Sequence, residues 1–159
     1  MLPNKERVVS MLLQQVTAEL DGMESVAEAA RNEATSSETK SEGKYDTRAT
    51  EAAYLARGQA WRIIELRKLA TWLNTATATN VLVEPVVQVG ALVRVLGKRS
   101  EVLYISPIGG GKANVQGEIV RAISPSSPLG SAMIELEAGD VFDVDSPRGL
   151  LEYKVTEIS

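Results

Sequence analysis

Neither cysteine nor histidine occurs among the 159 residues. Their absence excludes thiol nucleophiles, imidazole bases, disulfides, iron–sulfur clusters and ordinary zinc sites together. A metal held by this chain has to be a hard cation on oxygen ligands. Positive charge is also in deficit, with 17 Lys and Arg against 21 Asp and Glu, a net charge of -4. A binder that grips nucleic acid by charge is usually basic, so a direct grip of that kind is disfavoured. No uninterrupted apolar run reaches signal-peptide or membrane length, so the expected setting is the cytoplasm, off the membrane.

Proline and glycine are scarce in one half only. Residues 1–78 hold one Pro and three Gly, whereas 79–159 hold five Pro and nine Gly. The first half is rich in Ala, Glu, Gln, Leu and Arg, which favour helix. The second is rich in Val, Ile and turn residues, which favour strands. Two domains of unlike class are expected, 1–78 and 79–159.

Pro3 and Asn4 mark a helix start, and Val9, Leu12, Leu13, Val16, Leu20, Met23, Ala27, Ala30 and Ala34 then recur at spacings of three and four. The pattern fails across Thr35–Thr47, a stretch of hydroxyls, Gly43 and alternating charge. It resumes through Ala49, Ala53, Ala56, Ala60, Ile63, Leu66, Ala70 and Leu73. The spacing predicts an antiparallel coiled-coil hairpin with its tip near 35–50, each arm about 45 Å long at 1.5 Å per residue. Such a rod has a thin core and needs an anchor. Trp61 and Trp72 are expected as core at its base.

The second half predicts five strands: 89–96, 101–105, 116–123, 141–145 and 151–158. A short helix over 127–136 separates the third from the fourth, with Ser127 as cap, Pro128 at the first helical position and Gly139 as stop. Ser146–Gly149 reads as a hairpin turn. This is an α+β arrangement. Ser106-Pro-Ile-Gly-Gly-Gly-Lys112 lacks phosphate-loop spacing, because Ala113 follows the lysine. It reads as a flexible strand connection, or secondarily as a surface meeting a partner or small ligand.

Residues 127–158 run Ser-Pro, a small-residue helix, Gly-Asp, a Val-rich strand, a Pro-containing turn closed by Gly149, and a Glu-Tyr strand. This segment resembles the C-terminal domain of the bacterial Gre transcription elongation and transcript-cleavage factors, and a helical hairpin in front of it is that family's architecture. The resemblance implies an FKBP-like C-terminal domain with an antiparallel sheet and one short helix. It implies docking on RNA polymerase at the secondary-channel rim, through Ser127, Pro128, Leu129 and Gly130. The hairpin would then carry its tip toward the polymerase active centre. Acidic tip residues in cleaving members help hold a second Mg²⁺, and the polymerase hydrolyses its own transcript by a two-metal route. The chain would act as a monomer, with no catalysis and no cofactor of its own, reaching RNA and DNA only through the elongation complex.

The tip departs from the cleaving pattern. Gly43 matches, but Lys44 stands where that pattern has Asp, and Thr47 where it has Glu. Glu38, Glu42, Asp46 and Glu51 are the carboxylates available near it, with Glu42 and Asp46 the pair for a shared Mg²⁺. Cleavage through this different pair and occupancy of the channel without cleavage both stay open. Residues 19–42 hold seven acids and two bases, while Arg57, Arg62, Arg67 and Lys68 lie on the returning arm. An acidic outgoing arm would be drawn into a positive channel. Two rivals come from other classes. A prolyl isomerase needs an aromatic-lined pocket, and the domain offers only Tyr104, Phe142 and Tyr153. The other rival is a general protein-interaction module.

Overall fold

The computed structural model describes residues 1–35, 47–76 and 82–159. Helix α1 (Lys5–Thr35) and helix α2 (Thr47–Ala76) pack against each other. The Asn4 side chain caps α1 by accepting from the Arg7 backbone N–H at 2.9 Å. Six strands follow: β1 (Leu92–Leu96), β2 (Ser100–Ile105), β3 (Lys112–Val115), β4 (Glu118–Ile123), β5 (Val141–Ser146) and β6 (Gly149–Ile158), with helix α3 (Pro128–Met133) between β4 and β5. They form one sheet in the order β3-β4-β2-β1-β6-β5. Every pairing is antiparallel except β2 with β4, which runs parallel.

The pleat sends alternate side chains to opposite faces, and each face has its own cover. On one, Leu92, Val102, Tyr104, Ala113, Val115, Val120 and Ala122 meet Val8, Val9, Leu12 and Val16 of α1 and Leu66, Leu69, Leu73 and Ala76 of α2. On the other, Val93, Val95, Leu103, Ile105 and Val155 pack with Met133 and Phe142. The hairpin base is thus one wall of the first core, and each Leu buried there contributes about 1.5–3 kcal/mol.

The strand content differs from expectation by one element. β3 is too short for its alternation to stand out, and it sits directly after the glycine run. β1 begins at Leu92 rather than 89. Helix α3 stops at Met133, because Ile134 is extended and Glu135 takes φ +69°. Gly139 therefore closes a later turn, at φ +102°. The exit of α3 is held by Val87, which donates to the Leu136 carbonyl and accepts from the Glu135 N–H. Glycine also closes the β5–β6 turn, where Gly149 takes φ +106°.

The hairpin seam is apolar and buried only in its inner part. Trp72 is half-buried against the first core, but Trp61 is 65% exposed, so the expectation that both are core is corrected. Ala30, Ala53, Ala56 and Ala60 are exposed as well, and Ala27 is half-buried. Beyond the sheet two helices shield only one narrow stripe, and alanine offers little surface to bury there. The side chains of Ala34 and Ala49 lie outside the described residues. Among the described residues, no helix is long and apolar enough to cross a membrane.

Candidate functional site

The acidic positions fall into two groups. Glu38, Glu42 and Asp46 lie outside the described residues, as does the Glu42–Asp46 pair suggested for Mg²⁺. Glu51 stands exposed on the outer part of α2. Among the described residues, no cluster of three or more Asp and Glu is arranged to hold a metal.

The Ser127–Gly130 segment is fully described, and its four residues do different work. The Ser127 hydroxyl accepts from the Gly130 N–H at 3.0 Å and donates to the Ser124 carbonyl at 2.7 Å. Pro128 takes the first turn of α3, where its missing N–H costs nothing. A side chain at position 130 would drive its Cβ into the Ser124 carbonyl oxygen, so the turn folds this tightly only over glycine. Leu129 is half-buried in the second core. Of the four, Pro128 is the exposed one.

Beside this turn lies a cleft of about 670 Å³ between the hairpin and the sheet. Gln15, Glu19, Arg62 and Glu65 form its helical wall, and Pro107–Lys112 with Arg121, Ser126 and Ser127 form the other. The 106–112 stretch is therefore no loose connection. Gly110 N donates to the Ala122 carbonyl at 3.0 Å, and Ala122 N donates to the Gly111 carbonyl at 2.7 Å. Buried Ser106 donates to the Ile108 carbonyl at 2.7 Å. The sequence signal for this junction was a glycine run, which reads equally as flexibility or as close backbone approach. Of the side chains that meet it, Gln15 carried no signal of its own, and Arg62 stood out only as one of the bases of the returning arm.

Charge is organised in two places. Arg62 pairs with Glu19 at 3.2 Å and Arg67 Nε with Glu24 at 2.8 Å, so bases of the returning arm offset part of the acidic arm. On the sheet, Arg94 binds both carboxylate oxygens of Glu118, at 2.6 and 3.0 Å, and Glu157 at 2.8 Å. The bond from Arg94 holds the Glu118 carboxyl below its ordinary range, against a smaller opposing push from desolvation. For Glu157 desolvation pushes upward, yet Arg94 and the nearby N-terminal charge together leave it lowered. Between the hairpin and the sheet, burial raises the Tyr104 phenol, partly offset by the adjoining Trp72 indole.

A long helical hairpin seated by its base on a six-stranded sheet defines the class: a two-domain protein that projects a rod from an anchoring domain. Residues 83–159 match the family model described as "Transcription elongation factor, GreA/GreB, C-term". The chain is 28% identical to the transcription elongation factor GreA of Acetivibrio thermocellus over 166 residues, covering 99% of each. It is also 28% identical to that of Clostridium novyi over 116 residues, covering 72% of this chain and 68% of that one. Among solved structures it resembles Thermus aquaticus Gfh1, with TM-score 0.39 and 17% identity over 91% of this chain and 92% of that one. Residues 83–159 are thus a domain of the GreA/GreB C-terminal type, and the chain as a whole is similar to the Gre-type transcription elongation factors.

Proposed function

We propose that this chain acts on RNA polymerase, docking its C-terminal domain at the secondary-channel rim and directing the hairpin toward the active centre. The observation that carries the reading is the GreA/GreB-type domain at 83–159 seated beneath a projecting helical hairpin. Ser127, Leu129 and Gly130 set the shape of the docking turn, and exposed Pro128 makes the contact. The chain is an accessory factor: any hydrolysis of RNA belongs to the polymerase. Carboxylate oxygens at Glu42 and Asp46 suit Mg²⁺, which when bound polarises a water for attack on a phosphodiester. Lys44 and Arg48 add like charge beside them, which works against capture.

A second reading, occupancy of the channel without cleavage, is favoured by Lys44 and Thr47 at the two positions where the cleaving pattern has carboxylates. One assay separates the two. Backtracked elongation complexes are incubated with the protein, and transcript length is followed alongside elongation rate. Shortening that disappears in Glu42→Ala and Asp46→Ala supports cleavage. A slowed polymerase with transcripts of unchanged length supports occupancy. No binding to polymerase removes both.

A further inference from the structure

Arg62 stands where the rod leaves the sheet. Below it, Ile63, Leu66, Leu69 and Leu73 are buried, whereas the described side chains from Ala53 to Trp61 are exposed. Its Nη2 donates to the Gly110 carbonyl at 2.9 Å and to Glu19 Oε1 at 3.2 Å. One guanidinium thus ties α2 to α1 and to the loop before β3.

The loop is built to receive it. Gly110 has φ +111°, and a Cβ there would sit 2.5 Å from Arg62 Nη1. A Cβ on Gly111 would meet Val16 Cγ2 at 2.9 Å, and one on Gly109 would meet three backbone atoms of 122–124 at 3.1 Å. Three successive glycines let the backbone lie between β4 and the hairpin, and the bonds to Ala122 hold the Gly110 carbonyl in place.

We infer that Arg62, locked to the Gly110 carbonyl and Glu19, is a positioning residue that fixes the direction of the hairpin relative to the anchoring domain. Leverage makes this contact matter. From Arg62 to the outer end of α2 is about 22 Å, so a tilt of about 10° moves that end by about 4 Å. Displacements of about 1 Å at a reacting centre already cost on the order of a hundredfold in rate. The consequence for polymerase rests on the function proposed above, whereas the effect on rod direction does not.

The missing cysteines make the test direct, because spin labels attach only where Cys is introduced. Labels at Glu28→Cys on the rod and Lys98→Cys on the sheet report the inter-domain distance by double electron–electron resonance. The otherwise unaltered chain should give one narrow distribution. Arg62→Ala should shift or broaden it, and so should Gly110→Ala, which displaces the guanidinium without altering α2. Arg62→Lys should restore it in part. A distribution unchanged in Arg62→Ala overturns the inference. On polymerase, Arg62→Ala should lower the elongation or cleavage effect about tenfold or more while affinity stays within about twofold. An undiminished effect overturns the positioning role. If the unaltered protein has no effect on polymerase, the functional reading fails instead, and the distance measurement alone decides the inference.

Discussion

The inner and outer parts of the hairpin use the same helix type to different ends. Inside, Val8, Leu12, Val16, Leu66, Leu69 and Leu73 are fully buried against the sheet. Outside, Tyr54, Leu55 and Trp61 are each about two-thirds exposed, and alanines replace the larger residues of the seam. The inner part is core that happens to be helical, and its stability comes from tertiary packing. The outer part is reach with little mass. A rod of this design is aimed from its base, so changes at the base should cost stability and those farther out should not.

The largest expected effect is at the base. Leu66→Ala should lower the free energy of unfolding by about 2–5 kcal/mol, whereas Leu55→Ala should change it by less than about 0.5 kcal/mol. Urea titration followed by circular dichroism measures both. Equal losses at the two positions would erase the contrast between base and rod.

Next come three changes in the α3 turn that separate shape from contact. Gly130→Ala drives a Cβ into the Ser124 carbonyl and should cost about 1–3 kcal/mol, as overpacking does. Ser127→Ala removes the cap and should cost about 1 kcal/mol. Exposed Pro128→Ala should leave the melting curve nearly unmoved and weaken binding to polymerase. A stability loss at Pro128 as large as that at Gly130 would make the whole segment structural.

The two halves also differed in how far the sequence disclosed them. Helix spacing and the change of composition placed both helices and five of six strands, because periods of 3.6 and 2 write themselves into the order of residues. Ser127 and Pro128 were legible as a cap because that motif is local. What escaped depends on contacts distant in sequence. Trp61 looks like a core residue until the sheet ends beneath it, and Gly109–Gly111 looks loose until Val16 and Arg62 close over it. The parallel pairing of β2 with β4 has no local signature. The carboxylates of residues 38–46 lie outside the described residues, and their geometry is a matter for the cleavage assay.

The smallest predicted effect contrasts ion pairs in the two domains. On the rod, Arg62 and Arg67 each hold one glutamate, whereas on the sheet Arg94, itself only 16% exposed, holds two. Arg94 is the best placed to contribute, because its guanidinium is already oriented and binds Glu118 through both oxygens. The Glu118 carboxyl is held below its ordinary value of about 4.5 by that contact. A carboxyl with a lowered folded-state value stabilises the fold in full above its unfolded value, and the contribution disappears as pH falls through the folded one. The pair is partly exposed and solvent screens it, so its share should be below about 1 kcal/mol. Stability should therefore fall between pH 5 and pH 3 more steeply in the unaltered protein than in Glu118→Gln, with the two converging at the acid end. Urea midpoints at several pH values measure this. Parallel curves would mean that Arg94 holds the strands no better than the rod's pairs hold its arms.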